Sequence, residues 1–175
     1  MNKVIILILF LINITACSFQ SSQYNLIKGL IIKENFPQKP SKNWSVFWNK
    51  KQTDLYAINI ANQIIFADKN INIFYKNKQI YKITGLLTDD MLMEIDSSNS
   101  KMIYKLNGKQ IAGDSCETRK ITVGETGYKK YSHICFEQES GDSYENQIII
   151  NPENLIVSLK FKVHPSYPLL ELNIK

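Results

Sequence analysis

The sequence predicts a mainly β protein: an antiparallel β-meander curled into a half-barrel or open barrel, with a short N-terminal helix. Three observations carry that prediction. From Trp44 onward the chain is a succession of short runs rich in Ile, Tyr, Phe and Val, separated by turn residues. Asn107-Gly108, the strongest short hairpin signal available, separates two such runs, because both positions of a two-residue hairpin turn must accept positive φ. After Ser41 there is no long helical period and no fixed-length repeat. A length of 175 residues suits one domain with a tail rather than two sizeable domains.

The first residues read as an address. Met1-Asn2-Lys3 is a short positive region, and Val4 to Ile12 is an apolar run too short for a comfortable membrane span. It ends at Ile14-Thr15-Ala16-Cys17, where small residues precede a cysteine. This looks like a bacterial lipobox: the Cys17 thiol takes a diacylglycerol, the chain is cut before it, and further acylation gives an anchor that one chain alone does not. The alternative is an ordinary secretory signal with an incidental cysteine. The expected organisation is a signal peptide over 1–16, a lipidated tether over 17–23, and a single antiparallel β domain over 24–175. Ser18, rather than Asp, after the cysteine fits the common sorting rule for release to the outer membrane, with the domain facing the periplasm.

Within the domain, Leu26, Ile27, Leu30 and Ile31 suit a short amphipathic helix over Tyr24–Asn35, ended by Phe36-Pro37. Strands are then expected at Asp54–Ile60, Gln63–Ala67, Ile71–Lys76, Gln79–Thr84, Met91–Ile95 and Lys101–Leu106. Tyr144–Ile150 and Leu155–Val163 form a longer pair around the turn Asn151-Pro152-Glu153-Asn154, with Leu155, Val157, Leu159, Phe161 and Val163 on one dry face. Leu169–Ile174 closes the chain, for a total of about eight to ten strands.

With Cys17 assigned to lipid, Cys116 and Cys135 remain as an even pair in an exported and oxidising setting. If Gly124–Gly127 is a four-residue hairpin loop, Val123 faces Tyr128. Counting back along both strands then puts Cys116 opposite Cys135 in a non-hydrogen-bonded pair, which suits a disulfide. Two buried free thiols are the alternative. A zinc site is weaker, since no close set of Cys and His partners is evident from spacing.

The chain carries 21 Lys and Arg against 16 Asp and Glu, a net charge of +5, but Arg119 is its only arginine and the lysines are scattered. That pattern describes a solvated surface and argues against a nucleic-acid partner. No catalytic constellation, metal set or cofactor motif stands out. His133 and His164 lack a nucleophile motif nearby and read as strand-surface and turn residues. Asp89, Asp90 and Glu94 form a small acidic group that reads as a turn entering a strand. Ser140-Gly141-Asp142-Ser143 lacks the strand–helix context of a nucleophile elbow. Trp44 and Trp48 read as core or rim packing.

One family shares several of these stretches. Asn72 to Thr84 followed by Gly85-Leu86, then Tyr131–Phe136 with Cys135, Gln147–Val157, and the closing Phe161–Ile174 with Pro165 and Pro168, resemble the YjbF/GfcB family of lipoproteins. Departures are the short chain, Asn77-Lys78 in place of a turn glycine, and no Trp/Arg segment near Ser97–Lys101. The resemblance implies an antiparallel β lipoprotein that assists capsule or exopolysaccharide assembly and export without catalysis. Its implied partners are the membrane, through the acyl chains, and polysaccharide-export proteins or the glycan itself. A second reading is a LolA/LolB-like open-barrel carrier of lipid or lipoprotein. An unfilled cavity lined by Leu159 and Phe161 would favour the carrier, and a filled core the scaffold.

Overall fold

Runs of β-branched and aromatic residues end, again and again, at residues that tolerate a left-handed backbone, and the chain folds back on itself at each. The computed structural model describes residues 43–175 apart from Asp89. The Cys17 anchor, the tether and the expected Tyr24–Asn35 helix lie outside the described residues. Thirteen strands are present: β1 Trp44–Trp48, β2 Lys51–Ile60, β3 Gln63–Ala67, β4 Asn72–Lys76, β5 Gln79–Thr84, β6 Leu92–Ser97, β7 Lys101–Leu106, β8 Lys109–Cys116, β9 Lys120–Val123, β10 Lys129–Phe136, β11 Ser143–Ile150, β12 Ile156–Phe161 and β13 Leu170–Ile174. Tight turns at Asn49-Lys50, Asn77-Lys78 and Asn107-Gly108 have positive φ at both central residues, the geometry whose twist matches that of the flanking strands.

The sheet closes, which corrects the expected half-barrel or open barrel. Consecutive strands pair antiparallel from β1 to β8, and β1 also pairs with β13 through Trp44↔Ile174 to Phe47↔Glu171. β13 pairs with β12, β12 with β11 and β11 with β10. The ring is completed where β10 meets β8 at Cys135↔Cys116 and Phe136↔Ser115. Twelve strands make the closed barrel, and β9 lies along β10 beyond the end of β8. Alternation along each strand is the same in an open and a closed sheet. What decides closure is the pairing of β1 with β13 and of β8 with β10, which no local pattern encodes.

Inward-facing residues fill the barrel with one continuous apolar core that includes Trp44, Trp48, Phe66, Ile83, Tyr104 and Leu159. Trp44 meets Phe66 edge-on at 4.7 Å between ring centroids, and the Trp48 indole N–H donates to the Pro168 carbonyl at 2.9 Å. The outer face mixes charged residues with exposed apolar ones such as Phe47, Ile60 and Ile111. Cross-strand ion pairs Lys105–Asp96, Lys130–Glu145, Lys160–Glu171 and Lys175–Asp54 lie on it.

One local expectation is also corrected. Leu155, expected on the dry face, is 59% exposed, because β12 begins at Ile156 and the β11–β12 register shifts at Ile149/Ile150; Leu159, Phe161 and Val163 are buried. Gly85, of the Gly85-Leu86 pair, has a plain structural reason to be glycine: its φ is +75° and a Cβ there would fall 1.8 Å from the Asn70 carbonyl oxygen.

Candidate functional site

The barrel's seam is its most distinctive region. β8 pairs with β10 through only two residue pairs, so Lys109–Asp114 have β7 on one side and no strand on the other among the described residues. A covalent bond reinforces this short ladder: Cys116 and Cys135 are joined, with their Cα atoms 4.0 Å apart. The next pair inward, Glu117 and Ile134, carries the ladder bond from Glu117 N to Ile134 O at 2.9 Å, so the cysteines occupy the non-hydrogen-bonded site that brings side chains close.

The route to that pairing differs from the expected one by a residue. Gly124 N bonds to Tyr128 O, and Val123 faces Lys129 rather than Tyr128, so the loop is the three residues Glu125, Thr126 and Gly127, with Gly127 left-handed at φ +78°. The chain slips by one place between β9 and β8, across Glu117–Arg119, and this restores Cys116 opposite Cys135. Two errors of one residue cancel.

His133, expected on the strand surface, is instead buried beside the disulfide. Its Nε2 has no hydrogen-bond partner among the described residues. Burial first, and the Arg119 guanidinium second, hold its pKa below the ordinary value, against an opposing contribution from the backbone at Asn99 and Glu117. Cys116, His133 and Cys135 bring ligand atoms within 4.8 Å of one another, but the two sulfurs are bonded to each other and so committed. Arg119, in the connection from β8 to β9, reaches across to β5 and β6 and donates to Gln79 Oε1 at 3.0 Å and Ser97 Oγ at 2.9 Å. This lone arginine therefore ties separate strands together. Its isolation in the composition was the only sequence signal for that role.

A buried polar chain runs beside the disulfide. Tyr104 and Tyr144 hydroxyls lie 2.7 Å apart, and Tyr144 donates to Asp114 Oδ2 at 2.6 Å. Burial pushes both phenol pKa values far above their usual range, so both are protonated. With the Tyr144 proton directed at Asp114, Tyr104 donates to Tyr144. Asn146 donates to Met102 Sδ at 2.9 Å and accepts from the Lys162 backbone N–H at 2.7 Å. Nearby, Lys162 Nζ meets Glu137 Oε1 at 2.7 Å, and Ser140 donates to Glu137 Oε2 at 2.9 Å. The Lys162 bond, foremost, holds the Glu137 carboxyl below the usual carboxylate range.

Against these side chains lies a groove of about 510 Å³, lined among others by Ile103, Gln110, Gly113, Phe136, Glu137 and Gln138, with Asp114 in its wall. A second cavity, which touches His133, Arg119 and Phe161, measures only about 30 Å³, room on the scale of a water molecule. Of the acidic group read from the sequence, Asp90 is exposed in the β5–β6 connection, and Glu94 sits on the outer face of β6 between Lys82 and Lys105. Asp89 lies outside the described residues. His164 accepts from the Ser166 backbone N–H at 3.1 Å and packs edge-on against Tyr167, a turn role.

Barrel closure, core and seam together define a comparison that can be made on shape. The chain is similar in fold to a solved lipoprotein. That structure is the hypothetical lipoprotein YmcC from Escherichia coli (K12), matched with a TM-score of 0.55 over 89% of this chain and 97% of that one. Identity is 8%, so the likeness concerns the fold. No family model matches the sequence, and no curated protein does.

Proposed function

We propose that this protein is a membrane-anchored lipoprotein that assists assembly or export of a capsule or exopolysaccharide at the outer membrane, acting through shape and contact rather than catalysis. The observation that carries this reading over the lipid-carrier alternative is the filled interior. Leu159 and Phe161, the residues that would line a carrier's cavity, are buried in the continuous core, and the cavity that touches Phe161 is about 30 Å³, far below the few hundred Å³ of ordinary ligand sites. An acyl chain has no room there. The lipobox-like Cys17, the resemblance to YjbF/GfcB lipoproteins and the fold likeness to a lipoprotein all support the anchored half of the reading. A packed barrel on an N-terminal tether would act on neighbouring export components through its surface rather than through an internal cavity.

The test is quantitation of surface polysaccharide in a strain lacking the gene. Loss or marked reduction, restored by the wild-type gene, is the expected result. Unchanged surface glycan overturns the proposal. Release of bound lipid from the purified protein on extraction would instead favour the carrier.

A further inference from the structure

We propose that the groove beside the β8–β10 seam binds a neutral, hexose-based glycan. This rests on the polysaccharide-export reading and gives the protein a direct contact with the polymer. The groove, at about 510 Å³, falls within the size range of small-molecule sites. Its lining matches the chemistry of a pyranose ring. Phe136, 38% exposed, puts an aromatic ring in the lining, and the negative face of such a ring attracts the partly positive C–H bonds on the flat side of a sugar. Gln110 and Gln138 supply amides that both donate and accept, while Asp114 and Glu137 supply carboxylate acceptors for hydroxyl donors.

Charge selects within the class. Glu137 is paired with Lys162 and Asp114 stands against Lys101, so the groove offers no excess of positive charge to an anionic sugar. Sugar hydroxyls can bond to the remaining lone pairs of these carboxylates and to the glutamine amides, whereas a sugar carboxylate finds no unpaired cation to offset its desolvation. Neutral hexoses are therefore preferred over uronic acids. The walls are held in place before any ligand arrives, on one side by the disulfide and on the other by the Tyr104–Tyr144–Asp114 chain, which limits the ordering that binding would otherwise require.

Gly113 provides a selective test. Its backbone is not left-handed, and an added Cβ would meet nothing nearer than Gln110 Nε2 at 3.7 Å and the Met102 carbonyl oxygen at 3.8 Å. Gly113→Val therefore adds bulk at a groove-lining position where the Cβ itself meets no backbone clash.

The experiment is calorimetric titration of the full chain, held in a detergent without a sugar headgroup, with short neutral gluco-, galacto- and manno-oligosaccharides and with an oligogalacturonate. At least one neutral oligosaccharide is expected to bind with Kd of about 1 mM or tighter, and Gly113→Val and Phe136→Ala each weaken it by about tenfold or more. The oligogalacturonate is expected to bind at least about tenfold more weakly than its neutral galactose counterpart. Absence of binding across the neutral panel, undiminished binding in the folded variants, or equal binding of the anionic sugar overturns the proposal. Should Gly113→Val fail to fold, the exposed Phe136→Ala decides alone. The two proposals fail separately. Loss of surface glycan on deletion, without oligosaccharide binding, removes the groove assignment only; binding without any effect of deletion removes the export reading.

Discussion

His133 shows how much chemistry one misplaced side chain carries. On its strand it alternates with Ser132 and Ile134, and nothing local marks it as inward-facing and buried. Its position follows from the β10 register, which brings it to the disulfide and to Arg119. Because its folded pKa lies below the ordinary 6.5, the unfolded chain takes up a proton first as pH falls. Stability is thus full above about pH 6.5 and declines as pH drops through the window down to the folded-state pKa. His164, also lowered by burial, adds to that slope with the same sign. Glu137 and Glu145 are lowered from 4.5, so their contributions are lost only under more acidic conditions. Urea unfolding midpoints measured between pH 6.5 and pH 4.5 are expected to fall less steeply in His133→Gln than in the wild type. Identical slopes would refute the assignment of a buried neutral His133. Gly85 makes the opposite case. It is conspicuous in the sequence, and its reason is the close approach of the Asn70 carbonyl.

Among the elements, hairpins were far more legible than the joints between them. β3, β5 and β7 run over the same residues as the sequence reading, since the side chains alternate and the turns at Ala61-Asn62, Asn77-Lys78 and Asn107-Gly108 each mark one end. β1 has no counterpart among the expected strands: five residues, Trp-Ser-Val-Phe-Trp, give too short a pattern, and its turn Asn49-Lys50 lacks glycine. β9 is exposed at all four residues, so no buried face announces it. The cysteine pair was legible because both counting errors lay within one hairpin and cancelled. That pair now has a mechanical role at the two-residue seam. Reduction, or Cys116→Ala with Cys135→Ala, is expected to lower unfolding free energy by about 3 kcal/mol on the loop-entropy account. It should also speed amide exchange at Glu117, whose ladder bond to Ile134 adjoins the bridge. Unchanged stability and protection on reduction would show that the seam holds without its bridge.

At the scale of the whole molecule, the strand content was readable and the closure was not. A meander with one dry face can remain open or meet itself, and the difference lies in contacts between Trp44 and Ile174, at nearly opposite ends of the described chain. The closed barrel is packed inside and carries its cross-strand ion pairs on the outer face. The central claim joins that solid barrel to a lipid anchor at Cys17. Its most direct test is surface polysaccharide in a deletion strain that carries, in place of the wild-type gene, Cys17→Ser at matched protein levels. The account expects no lipid label on the variant and no recovery of surface polymer, while the wild-type gene restores it. Full recovery by the unlipidated variant would contradict the claim that the protein works from the membrane.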